Sequence, residues 1–161
     1  MEQVRETERE GTSSLKFFVP GIPAPAGSKK AFFNPRKPRI PIVTDASAKS
    51  RPWKNLVSSY AVEVFDGRPL FTGPLALDLL FVFPRPKRHY GTGKNALKLK
   101  PNVSDYHTSP PDLTKLIRAV EDALNQVIWR DDALVSNQYA TKIYTVKDHP
   151  KPGVYVMVTT L

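Results

Sequence analysis

The chain has 161 residues, with 24 Lys and Arg against 15 Asp and Glu, a formal net charge of +9 and a pI near 9.8. That is the size of one ordinary domain able to bury its own core, and a charge balance suited to a polyanionic partner. Cysteine is absent, which excludes disulfides, thiolate zinc sites and cysteine nucleophiles, and no stretch approaches the roughly 20 apolar residues of a membrane span.

Residues 1–14 carry no apolar periodicity and read as a disordered arm before a single domain over 15–161. The arm is polar and acidic, not a basic segment leading into an apolar one, so a cytoplasmic protein is expected. Leu15 to Val19 reads as a first strand closed by Pro20-Gly21. The stretch from Ile22 to Arg39 mixes turn formers with Lys29, Lys30, Arg36, Lys37 and Arg39, contains no acid, and reads as an exposed basic loop or hairpin. A short strand follows at Ile40 to Val43. Asp45 or Ser47 then caps a helix to about Phe65, with Trp53, Leu56, Val57, Tyr60, Ala61 and Val64 at spacings of three and four.

Leu75 to Phe83 becomes continuously apolar, as a central strand buried on both faces does, and Pro84 stops it. The next segment, Arg85 to Lys100, is again basic, free of acids and punctuated by Gly and Pro; a loop of this length is usually functional or disordered. A second helix spans about Asp112 to Asn125, with Leu113, Leu116, Ile117, Val120, Ala123 and Leu124 on one face. Leu134 to Val146 and Val154 to Leu161 read as an antiparallel pair joined by the turn at 148–153. The whole is an α+β fold, a mixed or antiparallel sheet of about five strands packed by two helices.

Chemistry concentrates around this second helix. Asp112 opens it, where the helix dipole favours a carboxylate, and Asp131-Asp132 places adjacent like charges beside an apolar neighbourhood. If residues 125–131 run back extended, about 20 Å of chain offsets the roughly 20 Å rise of the helix, and the pair returns to Asp112. A carboxylate cluster of that kind suits Mg²⁺, a hard cation that keeps waters for attack on phosphorus. Asp122 lies about 15 Å along the helix and reads instead as an i,i+4 partner of Arg118. Arg118 can alternatively reach toward a scissile phosphate. Taken singly, Asp112 is more simply a cap, Asp131-Asp132 a solvated turn, Trp129 core, and the basic loops solvated surface. Phe32, Phe33 and Tyr90 among the cations add stacking groups used in nucleic-acid sites. His89, His107 and His149 show no zinc spacing.

The segment Pro111-Asp112-Leu113-Thr114-Lys115, Arg118, Asp122-Ala123-Leu124 and Asp131-Asp132 resembles the RusA family of crossover-junction endodeoxyribonucleases. Phe17 to Pro25 followed by Lys29-Lys30 resembles that family's first strand and loop. The resemblance implies a RusA-like domain that binds Mg²⁺ or Mn²⁺ and, as a homodimer, nicks opposed strands of a four-way DNA junction. It also implies a phage or prophage setting within a bacterial cytoplasm. By position, Asp112 and Asp132 would be metal ligands, Asp131 a ligand or close support, and Arg118 would replace an assisting lysine. Lys29, Lys30, Arg36, Lys37, Arg85, Lys87 and Arg88 would hold the DNA backbone. The family's second opening aspartate is Thr114 here. Thr114 then holds a metal-bound water, or Asp105 or Asp78 completes the cluster, or cleavage is lost and the chain is a noncatalytic nucleic-acid-binding module. A ribosome-associated basic protein is a further alternative.

Overall fold

The computed structural model describes residues 13–27, 29–34, 37–45 and 48–161, with side chains described for 13–27 and 48–161. The elements in chain order are β1 (Ser14–Pro20), β2 (Lys29–Asn34), β3 (Lys37–Asp45), α1 (Ser50–Phe65), β4 (Leu75–Phe83), α2 (Leu113–Leu124), β5 (Val135–Tyr144) and β6 (Gly153–Thr160). Residues 1–12 of the expected disordered arm lie outside the described residues, as does the Ser47 cap, whereas Ser13 and Ser14 are held in the fold, Ser14 opening β1 and Ser13 bonded to Thr160. Asp45 ends β3 and the helix is capped at Lys49.

Strands β1, β6, β4 and β5 form one sheet in that order, and β2 and β3 form a separate antiparallel ribbon. The ribbon turns the expected basic loop or hairpin and the short strand after it into one two-stranded unit. Alternation in β1, β4 and β6 sends Leu15, Phe17, Val19, Leu75, Leu77, Leu79, Phe81, Val154, Val156 and Val158 into the core. Both helices cover that same face. Trp53, Val57, Ala61 and Phe65 recur every fourth residue on α1, while Leu116, Ala119, Val120, Ala123 and Leu124 are buried on α2. None of the described helices is long and apolar enough to cross a membrane.

Two sequence expectations change. β5 and β6 do not pair; β4 lies between them, antiparallel to β6 and parallel to β5. A turn signal shows that the chain reverses, whereas adjacency is decided by which strand most needs neighbours on both sides, and that strand is the apolar β4. β4 is therefore central, as expected, but its second face is largely open. Leu80 is only half-buried there, in a row with Phe18, Tyr155 and Thr141.

Close packing between strands explains Gly153, where an added Cβ would lie 2.3 Å from the Val19 carbonyl oxygen and 2.6 Å from the Phe18 ring. Backbone cannot retreat as a flexible side chain does. Gly153→Ala is expected to destabilise the fold by about 1–3 kcal/mol, read as a lower urea midpoint with an unchanged slope; an unaltered midpoint would show that the β1–β6 contact is looser than described.

Candidate active site

Asp112 is set in place by the chain that precedes it. The stretch 105–107 runs beside the end of β5, with the His107 amide donating to the Lys142 carbonyl at 3.0 Å and the Tyr144 amide to the Asp105 carbonyl at 2.8 Å. Lys142 Nζ then donates to the carbonyls of Ser109 and Pro111, both at 2.7 Å, tying the approach to α2. Asp112 occupies the N-cap position but its side chain caps nothing. Its carboxylate meets Lys115 Nζ at 2.9 Å instead. That hydrogen bond, the charge of Lys115 and that of Lys142 hold the carboxyl below its ordinary range, so it is an anion exposed to solvent at neutral pH. Thr114 and Arg118 are exposed on successive turns of the same helix.

The acidic pair sits at the other end. The segment after α2 does not run back extended. Gln126, at φ 62°, reverses the chain, with its amide donating to the Trp129 carbonyl and the Val127 and Ile128 amides to Leu124. Trp129 is fully buried core, as its composition suggested, and its indole Nε1 donates to Asp132 at 2.8 Å. Asp131 accepts from the Ala133 amide at 2.9 Å. The site expectation therefore needs correction: Asp131 and Asp132 do not meet Asp112, because a 12-residue helix separates them by about 18 Å. Their acidic neighbour is Glu121, whose carboxyl is pushed up by burial and by the charges of Asp132 and Asp122, against a Gln138 hydrogen bond at 2.8 Å.

Among the described residues the remaining acids do not complete a cluster at Asp112. Asp105 pairs with Arg85, and Asp78 faces the open side of the sheet beside Met157 and Tyr139. Asp122 pairs with Lys54 on α1 at 3.4 Å, not with Arg118 as its spacing suggested. Among the described residues of one chain, no three His, Asp or Glu side chains are grouped so as to hold a metal ion. One chain alone does not fit the Mg²⁺ site that its sequence implies.

The basic residues divide. Arg36 lies outside the described residues, and the side chains of Lys29, Lys30 and Lys37 lie outside them too. Their ribbon is nevertheless rooted near Asp112, because the Ala26 amide donates to the Lys115 carbonyl at 2.8 Å. Lys87 and Arg88 are exposed on a short helical turn. Arg85 is not available as a surface contact. Its side chain is 1% exposed, bonded to the carbonyls of Thr145 and Ser104 and to Asp105, and lies over the Tyr144 ring. It pins both ends of the 85–105 loop. An aromatic stack does the same, with His107 4.2 Å from Phe83 and 4.8 Å from Tyr144, and His89 4.9 Å from Tyr144. Sequence reasoning missed this stack, since its members at 83, 89, 107 and 144 have no shared period.

A family model described as Endodeoxyribonuclease RusA matches residues 24–159. This chain belongs to the RusA endodeoxyribonuclease family. It is also similar to the uncharacterized protein YqaN of Bacillus subtilis (strain 168), with 29% identity over 146 residues, 89% of this chain and 94% of that protein. The match spans all of α1, α2 and β4 to β5, so the two acidic ends of α2 and the pinned loop are parts of the RusA domain.

Within that domain the stack makes the loop sensitive to pH. Burial, then the charge of Lys142, holds the His107 imidazole below its ordinary 6.5. The unfolded chain therefore takes up the proton first as pH falls, and stability drops below about pH 6.5. His89, also lowered by burial and by Arg85, adds in the same direction. Thermal unfolding of His107→Phe is expected to lose less Tm than the parent between pH 7.5 and pH 5; parallel losses would remove His107 from the account.

Proposed function

We propose that this RusA-family chain is a structure-specific endonuclease that nicks opposed strands of four-way and other branched DNA as a homodimer, with Mg²⁺ or Mn²⁺ as cofactor. The family match over 24–159 carries the reading. The separated acids shape it further. Asp112 stands at one end of α2 and Asp131, Asp132 and Glu121 stand at the other. A two-fold related copy with its α2 reversed supplies to each end what that end lacks, giving two equal sites. A two-fold substrate with two opposed scissile strands suits that symmetry. When bound, the divalent ion would polarise the phosphodiester and make a bound water acidic.

The chain's own residues have distinct tasks in this reading. Asp112, kept ionised by Lys115 and Lys142, offers oxygen ligands without first losing a proton. Asp132 is oriented by the Trp129 indole, so it reaches its site preorganised. Arg118, exposed midway along α2, carries charge toward the phosphate. Lys29, Lys30, Arg36, Lys37, Lys87 and Arg88 supply backbone contacts whose strength falls steeply with salt. Arg85 acts through the loop that carries Lys87 and Arg88. The substrate places the protein in the cytoplasm of a bacterial cell, acting on recombining or phage DNA.

The test is metal-dependent cleavage of a labelled four-way junction against a linear duplex. Asp112→Asn and Asp132→Asn should each abolish nicking. Heterodimers carrying one substitution per subunit should recover nicks in single strands, because one of their two sites is then intact. Heterodimers as inert as the parents would place each site within one subunit. Binding without cuts by the parent protein would instead leave a recognition module that has lost its chemistry.

Thr114 provides an independent check. A hydroxyl is a neutral and weaker ligand than the carboxylate standing there in the family's motif. Thr114→Asp should therefore lower the Mg²⁺ concentration for half-maximal nicking severalfold, and coincident Mg²⁺ titrations would exclude Thr114 from the site.

A further inference from the structure

The 85–105 loop carries an ordered tip. Tyr90 and Leu99 bridge antiparallel, and the Gly91 amide donates to the Lys98 carbonyl and the Lys100 amide to the His89 carbonyl, both at 2.9 Å. Residues 92–98 turn between these legs, with the Asn95 amide donating to the Thr92 carbonyl at 3.0 Å and the Lys98 amide to the Asn95 carbonyl at 2.9 Å. The turn is so close that a Cβ on Gly91 would lie 2.7 Å from the Asn95 carbonyl oxygen. Lys100 Nζ fastens the second leg to the Arg88 carbonyl at 2.9 Å. With Arg85 and the contact of His89 with Tyr144 holding its base, the tip is fixed to the sheet.

Leu97 stands in that turn. Among the described residues no large apolar side chain is more exposed, at 94%. A lone exposed leucine is ordinary on a protein surface, but this one differs in its surroundings. Lys94 and Lys98 flank it, and no acid occurs from Arg85 to Lys100. Leu99, 49% exposed, adds apolar surface to the same tip. The loop leaves the sheet at the end where β4 and β5 finish, since Arg85 follows β4 and binds the Thr145 carbonyl just past β5. α2 opens at that same end, tied there by Lys142 Nζ on the Pro111 carbonyl, so the tip rises from the end of the molecule that carries Asp112.

We infer that Leu97 is a wedge that enters the base stack at the branch point of junction DNA, with Lys94 and Lys98 on the phosphates beside it. Apolar side chains on cationic elements enter base steps in this way, at the cost of unstacking them. In a continuous duplex that cost is scarcely offset by burying one leucine, whereas base pairs bordering an open branch point already lack a stacked neighbour on one side. The same side chain therefore favours branched over linear DNA. The lysines cannot supply that discrimination, because phosphates are common to both substrates. The inference rests on the endonuclease reading above and names a residue that selects its substrate. An anionic membrane is the other surface that attracts leucine among lysines; the sheet end shared with Asp112 favours DNA.

The test reads binding in EDTA, by anisotropy, to a four-way junction carrying 2-aminopurine beside the branch point and to a linear duplex of the same sequence. The fluorescence of 2-aminopurine rises when it loses its stacked neighbours, and the parent should raise it on the junction alone. Leu97→Ser should abolish the rise and lower the ratio of junction to duplex affinity about tenfold, and Leu97→Phe should keep both. Lys98→Ala should weaken both substrates alike, with a salt slope smaller by about one. Leu97 is exposed, so circular dichroism should show the variants folded. A parent with no rise or no preference for the junction, or either property unchanged in Leu97→Ser, overturns the inference. So does a parent that binds phosphatidylserine vesicles in preference to the junction and loses them with Leu97→Ser. Nicking of the same junction with Mg²⁺ separates the two readings. Nicking by the parent with the wedge disproved leaves the endonuclease standing, and a rise lost in Leu97→Ser without any nicking by the parent keeps the wedge and removes the endonuclease.

Discussion

The parallel pairing of β4 with β5 governs the rest of this structure. Parallel neighbours cannot be joined by a hairpin; the chain must leave the end of β4, cross one face of the sheet and return to the start of β5. Residues 84–134 make that crossing, with α2 as its rigid part. Whatever opens α2 therefore lies at the end of the sheet where β4 and β5 finish, and whatever follows α2 lies where β5 begins. The separation of Asp112 from Asp131 and Asp132 follows from topology and from the rise of a helix, not from any local choice of side chain.

That separation divides the electrostatics as well. The Asp112 end is surrounded by cations, namely Lys115, Lys142 and the root of the β2–β3 ribbon, and its carboxyl is correspondingly held in the charged form. At the other end Glu121 is crowded by burial and like charge and resists ionising. The two ends of α2 are therefore unlike in charge and in readiness to ionise.

Local pattern made much of the fold legible. The period of α2, from Leu116 to Leu124, and the Asp112 and Asn125 boundaries came directly from spacing, as did the apolar core of β4 and the strands β1 and β6. The candidate residues at the two ends of α2 were legible by type and motif. Their separation was not, because Gln126 in the left-handed region turns the chain where an extended return had been expected, and nothing in its identity announces that conformation. The role of Arg85 was hidden for a similar reason. Its partners Ser104, Asp105, Tyr144 and Thr145 are distant in sequence, and a basic residue in a basic loop reads as surface until they close around it.

The sequence by itself determined the α+β class, the helix and strand positions, the basic balance and the membership in a nuclease family, since all of these depend on composition and on residues close together along the chain. Only tertiary structure decided which strand sits beside which, that β4 separates β5 from β6, that Arg85 is interior, and that the two acidic ends of α2 stay apart within one chain. Those outcomes depend on packing between distant segments. Their energies are set by which apolar faces and backbone edges find partners, and no local pattern encodes that.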